Sequence, residues 1–291
     1  MPQVRVSIVL PYLLRLPDGI YQTGAEGGTI DLTERYMPGG DSLGAKHTSV
    51  SAAFDASNSL QPEQQFEVQK KEFERLLRRT NRLLRWYRSE TRQAAVVELT
   101  RSQASPPTFV ETETGLAWGI PLLVESDPPL LPASFNITRV AKSVRKGLAG
   151  AADPEVASLF LLDAEQARRD GRFREAVLFC WSTIDTTFNT KYEGLIDQVL
   201  VNEWSEGKKW LKATDFGMKN KMSAVLYLVA GRSLFREPPG FWDSLSKSYT
   251  KRNRIIHAGE TAQEEDAETA LLVAHRVVEL MAGIKAKKSS R

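Results

Sequence analysis

The chain has 291 residues, 42% of them hydrophobic, with 39 Lys and Arg set against 36 Asp and Glu. That apolar content argues against disorder, and a formal net charge of +3 permits a nucleic-acid partner without demanding one. The single cysteine, Cys180, excludes an internal disulfide framework and any Cys-rich zinc site. No apolar run approaches the roughly 20 residues that span a bilayer. The opening, MPQVRVSIVLPYLLRLPDG, is too interrupted by Pro and Arg for a signal peptide. The expectation is a soluble, cytoplasmic protein without a membrane partner.

The sequence changes character near residue 150. Eleven of the 14 prolines precede it, so the first half is loop-rich and the second can be mostly helix. This predicts an α+β domain over residues 1–150 followed by an all-α bundle over 151–291. Val4–Leu10, Ala95–Thr100 and Leu116–Val124 read as strands. Residues 17–60, rich in Gly, Ser, Thr and Asp, read as irregular strands and loops.

One long helix is predicted from Pro62, suited to a first helical position, to about Glu90. Phe66, Phe73, Leu76, Leu77, Leu83, Leu84 and Tyr87 give it a broken apolar stripe. Nine Lys and Arg against four Asp and Glu lie between Glu67 and Arg92; they suit either a solvated face or a phosphate-facing surface. Arg139, Lys142, Arg145 and Lys146 lie opposite Ile137, Val140, Ala141, Val144 and Leu148, which is the pattern of a short amphipathic helix.

In the second half, Asp153-Pro154-Glu155 reads as a helix start, with Asp153 as cap and Pro154 in the first position. That helix ends at Asp170-Gly171. The next carries Phe173, Ala176, Val177, Cys180, Trp181, Ile184 and Phe188 on one buried face. Further helices are expected from about Lys219 to Ala230 and from Phe241 to about Ile256. A last one follows, with Thr261 and Glu264 at capping-box spacing and Ala267, Ala270, Leu271, Ala274, Val278 and Met281 lining its inner face. Lys285–Arg291 reads as a frayed tail. Antiparallel helices with short connections make a bundle.

The segment Lys251-Arg252-Asn253-Arg254-Ile255-Ile256-His257-Ala258-Gly259 concentrates the candidate chemistry. Here the chain resembles the HEPN family (higher eukaryotes and prokaryotes nucleotide-binding), whose signature is Arg, four to six residues, then His. Arg252 and His257 fit with four between, and Asn253 takes the polar position after the arginine. The flanks agree: DAETALLVAHRVVELM follows the motif. Upstream, AEQARRDGRFREAVLFCWSTIDTTF looks like the family's first helical hairpin, and Asp185 falls where many members carry a carboxylate. The resemblance covers roughly residues 152–284; residues 1–150 show none.

The resemblance implies a metal-independent ribonuclease acting as a homodimer, with no cofactor and RNA as partner. Arg252, Asn253 and His257 would be catalytic, Lys251 and Arg254 would bind RNA, and Asp185 would be a supporting acid. By family association alone it would be a stress or phage-defence effector, a toxin in antiviral terms. The N-terminal half would recognise the substrate or a regulatory ligand or protein. The residue types fit the chemistry: an imidazole exchanges protons near neutral pH, and a guanidinium holds phosphate charge.

Two physical points qualify that arrangement. Arg252 and His257 stand about 140° apart on an ideal helix, whereas Asn253 and His257, at i and i+4, share a face. His257 near the helix C-terminus, where the dipole favours the imidazolium, suits a catalytic acid or a structural cap equally. The alternative is therefore a non-catalytic RNA- or nucleotide-binding or dimerisation module, serving as a sensor or assembly subunit.

Other candidates are weaker. His275 reads as structural, His47 as a loop residue, and Cys180 as core. GAEGGT at Gly24–Thr29 lacks the Lys-Ser/Thr ending of a phosphate-binding loop, and no cluster reads as a metal site. Trp204, Trp210 and Trp242 suit core edges better than base stacking.

Overall fold

A computed structural model describes residues 3–24, 27–36, 46–55, 62–118, 135–199, 205–213 and 217–286. The chain forms two compact units, Met1–Pro154 and Glu155–Arg291.

In the N-terminal unit, six described strands form one antiparallel sheet: β1 (Gln3–Val9), β2 (Gly19–Gln22), β3 (Thr29–Tyr36), β4 (Lys46–Asp55), β5 (Thr108–Glu111) and β6 (Ala117–Trp118). Their order is β2-β3-β4-β1-β5-β6. Alternation places Val4, Val6 and Ile8 of β1 on one buried face, in register with Phe54, Ala52 and Val50 of β4. Two helices, α1 (Pro62–Thr91) and α2 (Ile137–Ala149), complete that core with Phe73, Leu76, Leu83, Leu84 and Tyr87, and with Val140, Val144 and Leu148.

Several expectations change here. Residues 17–60 carry three regular strands, although 25–26, 37–45 and 56–60 lie outside the described residues. His47 belongs to β4 and is buried. Ala95–Thr100 forms no strand. Two of its backbone amides bond to side chains instead: Val97 N–H donates to the Tyr12 hydroxyl (3.3 Å) and Leu99 N–H to Asn81 Oδ1 (2.8 Å), while Val96 N–H turns back to the Gln93 carbonyl (3.2 Å). Part of the expected strand Leu116–Val124 survives as β6; residues 119–124 are outside the described set.

The basic helix α1 is neither simply solvated nor simply phosphate-facing. Arg79, Arg82 and Arg88 are buried. Arg79 donates to the carbonyls of Gly27 and Thr29, and Arg88 to that of Ala94. Gly27 and Thr29, between β2 and β3, are thus pinned by α1, and Thr23 N–H donates to Gly28 C=O at 2.9 Å. α1 and α2 approach so closely that a Cβ at Gly147 would run into the Trp86 indole, which explains a glycine where helix propensity disfavours one.

The C-terminal unit is helical: α3 (Val156–Arg169), α4 (Phe173–Val199), α5 (Ser205–Lys212), α6 (Met218–Asn220), a π-helical turn at Lys221–Val225, α7 (Leu226–Ala230), α8 (Phe241–Ala258) and α9 (Glu264–Gly283). The central helix α4 packs against α3, α8 and α9 and buries Ala176, Val177, Cys180, Trp181, Ile184 and Phe188. It continues a further three turns beyond the predicted stripe, through buried Tyr192, Leu195 and Ile196. Each such large side chain, once buried, stabilises by roughly 1.5–3 kcal/mol.

Two caps differ from expectation. Glu155, not Asp153, is the N-cap of α3; Asp153 is taken by Arg82 and Arg85 at 3.0 and 3.3 Å. The capping box of α9 joins Gln263 and Asp266, and Glu264 pairs with Arg168 at 3.4 Å. Of the expected tail, residues 287–291 lie outside the described set.

Candidate functional site

α8 carries the motif. Phe241, Leu245, Ser248 and Ile255 form its buried stripe, fixed to α4 by the Trp181 indole N–H, which donates to Ser248 Oγ at 2.9 Å. The helix ends because Gly259 adopts a left-handed φ of 65°, its N–H returning to the Arg254 carbonyl.

At 3.6 residues per turn, Arg252 leaves the helix on this inner stripe. Its guanidinium lies 3.9 Å from Asp185 Oδ2 of α4 and donates to Asn253 Oδ1 at 3.0 Å. The structure therefore does join three of the predicted residues, Asp185, Arg252 and Asn253. Burial pushes the Asp185 carboxyl above the usual carboxylate range, and Arg252 opposes this only in part. A raised folded pKa makes the residue's contribution most favourable at low pH and removes it as pH rises through that value. Asp185→Asn is thus expected to melt slightly higher than the wild type at pH 7. The difference should shrink toward pH 4 in scanning calorimetry.

His257 stands apart from this cluster. It is exposed, and no hydrogen bond or ion pair to it occurs among the described residues; in particular, none joins it to Arg252 within one chain. On the outer surface its helical neighbours are Asn253 at i−4 and Arg254 at i−3. Arg254 is 63% exposed, and its ion pair among the described residues is a 3.9 Å contact to Glu260. Lys251 is more firmly held, at 2.7 Å from Glu260 and 3.0 Å from Asp266, and those carboxylates raise its pKa. Lys247, which sequence reasoning missed, lines a polar depression of about 400 Å³ with Thr250, Lys251 and Arg254 and with the carboxylates Glu260 and Asp266, and itself pairs with Glu265 at 3.1 Å. The spacing 247, 250, 251, 254 was the available signal, since i, i+3, i+4 and i+7 share one helix face.

No protein family, curated protein or solved structure matches this chain. The functional reading therefore rests on these residues and on the motif.

The secondary candidates take structural places. His275 Nε2 lies 3.3 Å from Glu165 Oε1. Cys180 is buried, and desolvation pushes its thiol far above the ordinary range, which suppresses thiolate chemistry. Trp242 packs edge-on to Phe235 at 5.4 Å. Trp210 is 57% exposed rather than a core edge, and Trp204 lies outside the described residues.

Proposed function

We propose that the helical unit is a metal-independent endoribonuclease of the HEPN type that works as a homodimer. The observation that carries this reading is a contrast on one helix end. Lys251 is engaged by two carboxylates and Arg252 by Asp185 and Asn253, while His257 is exposed and uncommitted. An imidazole held at a helix C-terminus, free of a structural partner, is positioned to exchange protons with a substrate.

RNA supplies its own nucleophile. One His257 accepts the ribose 2′-OH proton as that oxygen attacks phosphorus. The bond from phosphorus to the 5′-oxygen breaks, and the same residue of the second copy, as imidazolium, protonates the leaving oxygen. The products are a 2′,3′-cyclic phosphate and a 5′-hydroxyl. Arg254 offers a guanidinium to the phosphate oxygens where charge builds. Arg252 acts one step back: by donating to Asn253 Oδ1 it leaves the Asn253 Nδ2 hydrogens as outward donors. Such an enzyme would serve as a stress or phage-defence effector.

The test is incubation of the purified chain with mixed RNA in EDTA, followed by end-group analysis. Cyclic-phosphate ends are the expected result. The second reading, a non-catalytic binding or dimerisation module, is favoured by the lack of any bond between Arg252 and His257 in one chain. Intact RNA, retained in a complex whose stability is unaffected by His257→Ala, would select it.

A further inference from the structure

The N-terminal unit carries a groove of about 420 Å³ that no part of the proposed nuclease chemistry uses. Its volume falls within the roughly 300–1,000 Å³ typical of small-molecule sites. One wall is the first half of α1, where Phe66, Gln69, Lys70 and Phe73 recur at i, i+3, i+4 and i+7 and so share a face. Phe73 and Phe109 of β5 form a nearly buried floor, whereas Phe66 is 62% exposed. Phe66 is informative because its exposed ring is continuous with Phe73, Phe109, Pro106 and Pro107, and a contiguous concave apolar lining with a few polar groups is the usual form of a ligand site.

The opposite wall is already ordered. Ser105 Oγ accepts the Val9 N–H at 2.8 Å, tying the loop to β1, and Pro106 and Pro107 follow with fixed φ. The turn carrying Arg101 is closed by Gln103 N–H to Thr100 C=O at 3.1 Å and by Thr100 N–H to Gln103 Oε1 at 3.0 Å. A ligand here would pay little to order its site.

The charge on the lining decides the ligand. Two cations, Lys70 and Arg101, line the groove, and no lining residue is acidic. Arg101 is exposed and has no carboxylate within ion-pair distance among the described residues; Lys70 has one contact, to Glu67 at 3.9 Å. We infer that this groove binds a small, flat aromatic molecule bearing a negative charge. The ring would lie among Phe66, Phe73, Phe109 and the two prolines, with its anionic group at Arg101 and Lys70. The inference is independent of the nuclease reading.

The experiment titrates the full chain with 1-naphthoate by calorimetry, with the uncharged 1-naphthalenemethanol as control. Saturable binding of naphthoate is expected, weakened about tenfold or more for the alcohol and for Arg101→Gln, since a hydrogen-bonded charge is lost in each case. Phe66→Ser should weaken it comparably; both residues are exposed, so neither change removes core packing and unchanged melting of both variants is expected. Absence of saturable naphthoate binding overturns the proposal. So does an affinity unchanged in Phe66→Ser or Arg101→Gln, or an alcohol that binds as well as the acid.

Discussion

Replacing His257 by alanine is expected to lower RNA cleavage by about 10²- to 10⁴-fold, the usual contribution of a general acid or base. The melting temperature should not move, because the side chain is exposed and makes no hydrogen bond or ion pair among the described residues. Arg252→Ala should behave differently. Arg252 lies between Asp185 and Asn253, half-buried against α4, so its loss should reduce both cleavage and thermal stability. A further consequence follows from sharing two imidazoles across a dimer: excess His257→Ala protein should suppress wild-type cleavage beyond simple dilution, because mixed dimers lack either the acid or the base. Cleavage by His257→Ala at the wild-type rate would remove the residue from the chemistry. Suppression no greater than dilution would mean that each copy works alone.

The spacing of Arg252, Asn253 and His257 is read directly from the sequence. Which way each side chain leaves the helix was legible too: the 140° between Arg252 and His257 follows from helical geometry, and the structure places Arg252 inward and His257 outward. What could not be read was what receives Arg252, since Asp185 lies 67 positions away on another helix. The helical unit was legible for a related reason. Its stripe at three- and four-residue spacing recurs in α4 from Ala176 to Phe188, and in α9 Ala267, Ala270, Ala274 and Met281 are buried as expected, with Val273, Val277 and Leu280 added. Its caps were less so: the N-cap of α3 falls two residues past Asp153, which pairs with Arg82 instead, and α9 begins at Glu264, so that Gln263 and Asp266 take the box positions.

The sheet was harder to see. Pairing depends on contacts far apart in sequence, and β1 bonds to β4 and β5 rather than to its neighbour β2. Ala95–Thr100 has strand composition, yet two of its amides are met by Tyr12 and Asn81 side chains, so composition misled. The gap in the α1 stripe between Leu77 and Leu83 was a usable signal. It is where buried Arg79, Thr80 and Arg82 enter the interior in place of apolar residues.

Arg82 is the residue on which the N-terminal unit should depend most, and Arg82→Met is expected to destabilise the protein by about 3 kcal/mol. Its side chain is 3% exposed. Its Nη2 donates to the carbonyls of Gly150 at 2.7 Å and Ala152 at 2.9 Å, and its Nη1 to that of Leu148 at 3.3 Å. Nε meets Asp153 at 3.0 Å. One guanidinium thus donates to the last-turn carbonyl of Leu148 in α2, where acceptors lack intrahelical donors, and to the Gly150 and Ala152 carbonyls just beyond it. Methionine keeps the packing of the stem but removes every one of these donors; the Leu148 oxygen retains only the Gly24 N–H at 2.9 Å, and the part-buried oxygens of Gly150 and Ala152 lose the guanidinium. Asp153 retains Arg85 and is half-exposed, so the loss comes from the carbonyls rather than from a stranded charge. Lysine should rescue little, since a single ammonium cannot reproduce a planar fork of five N–H donors. Urea denaturation gives the energy, and hydrogen exchange locates it: the Gly150 amide, bonded to the Lys146 carbonyl at 3.1 Å, should lose protection in Arg82→Met before the β1–β4 pairs do. A destabilisation below about 1 kcal/mol would mean that water replaces the guanidinium at that helix end.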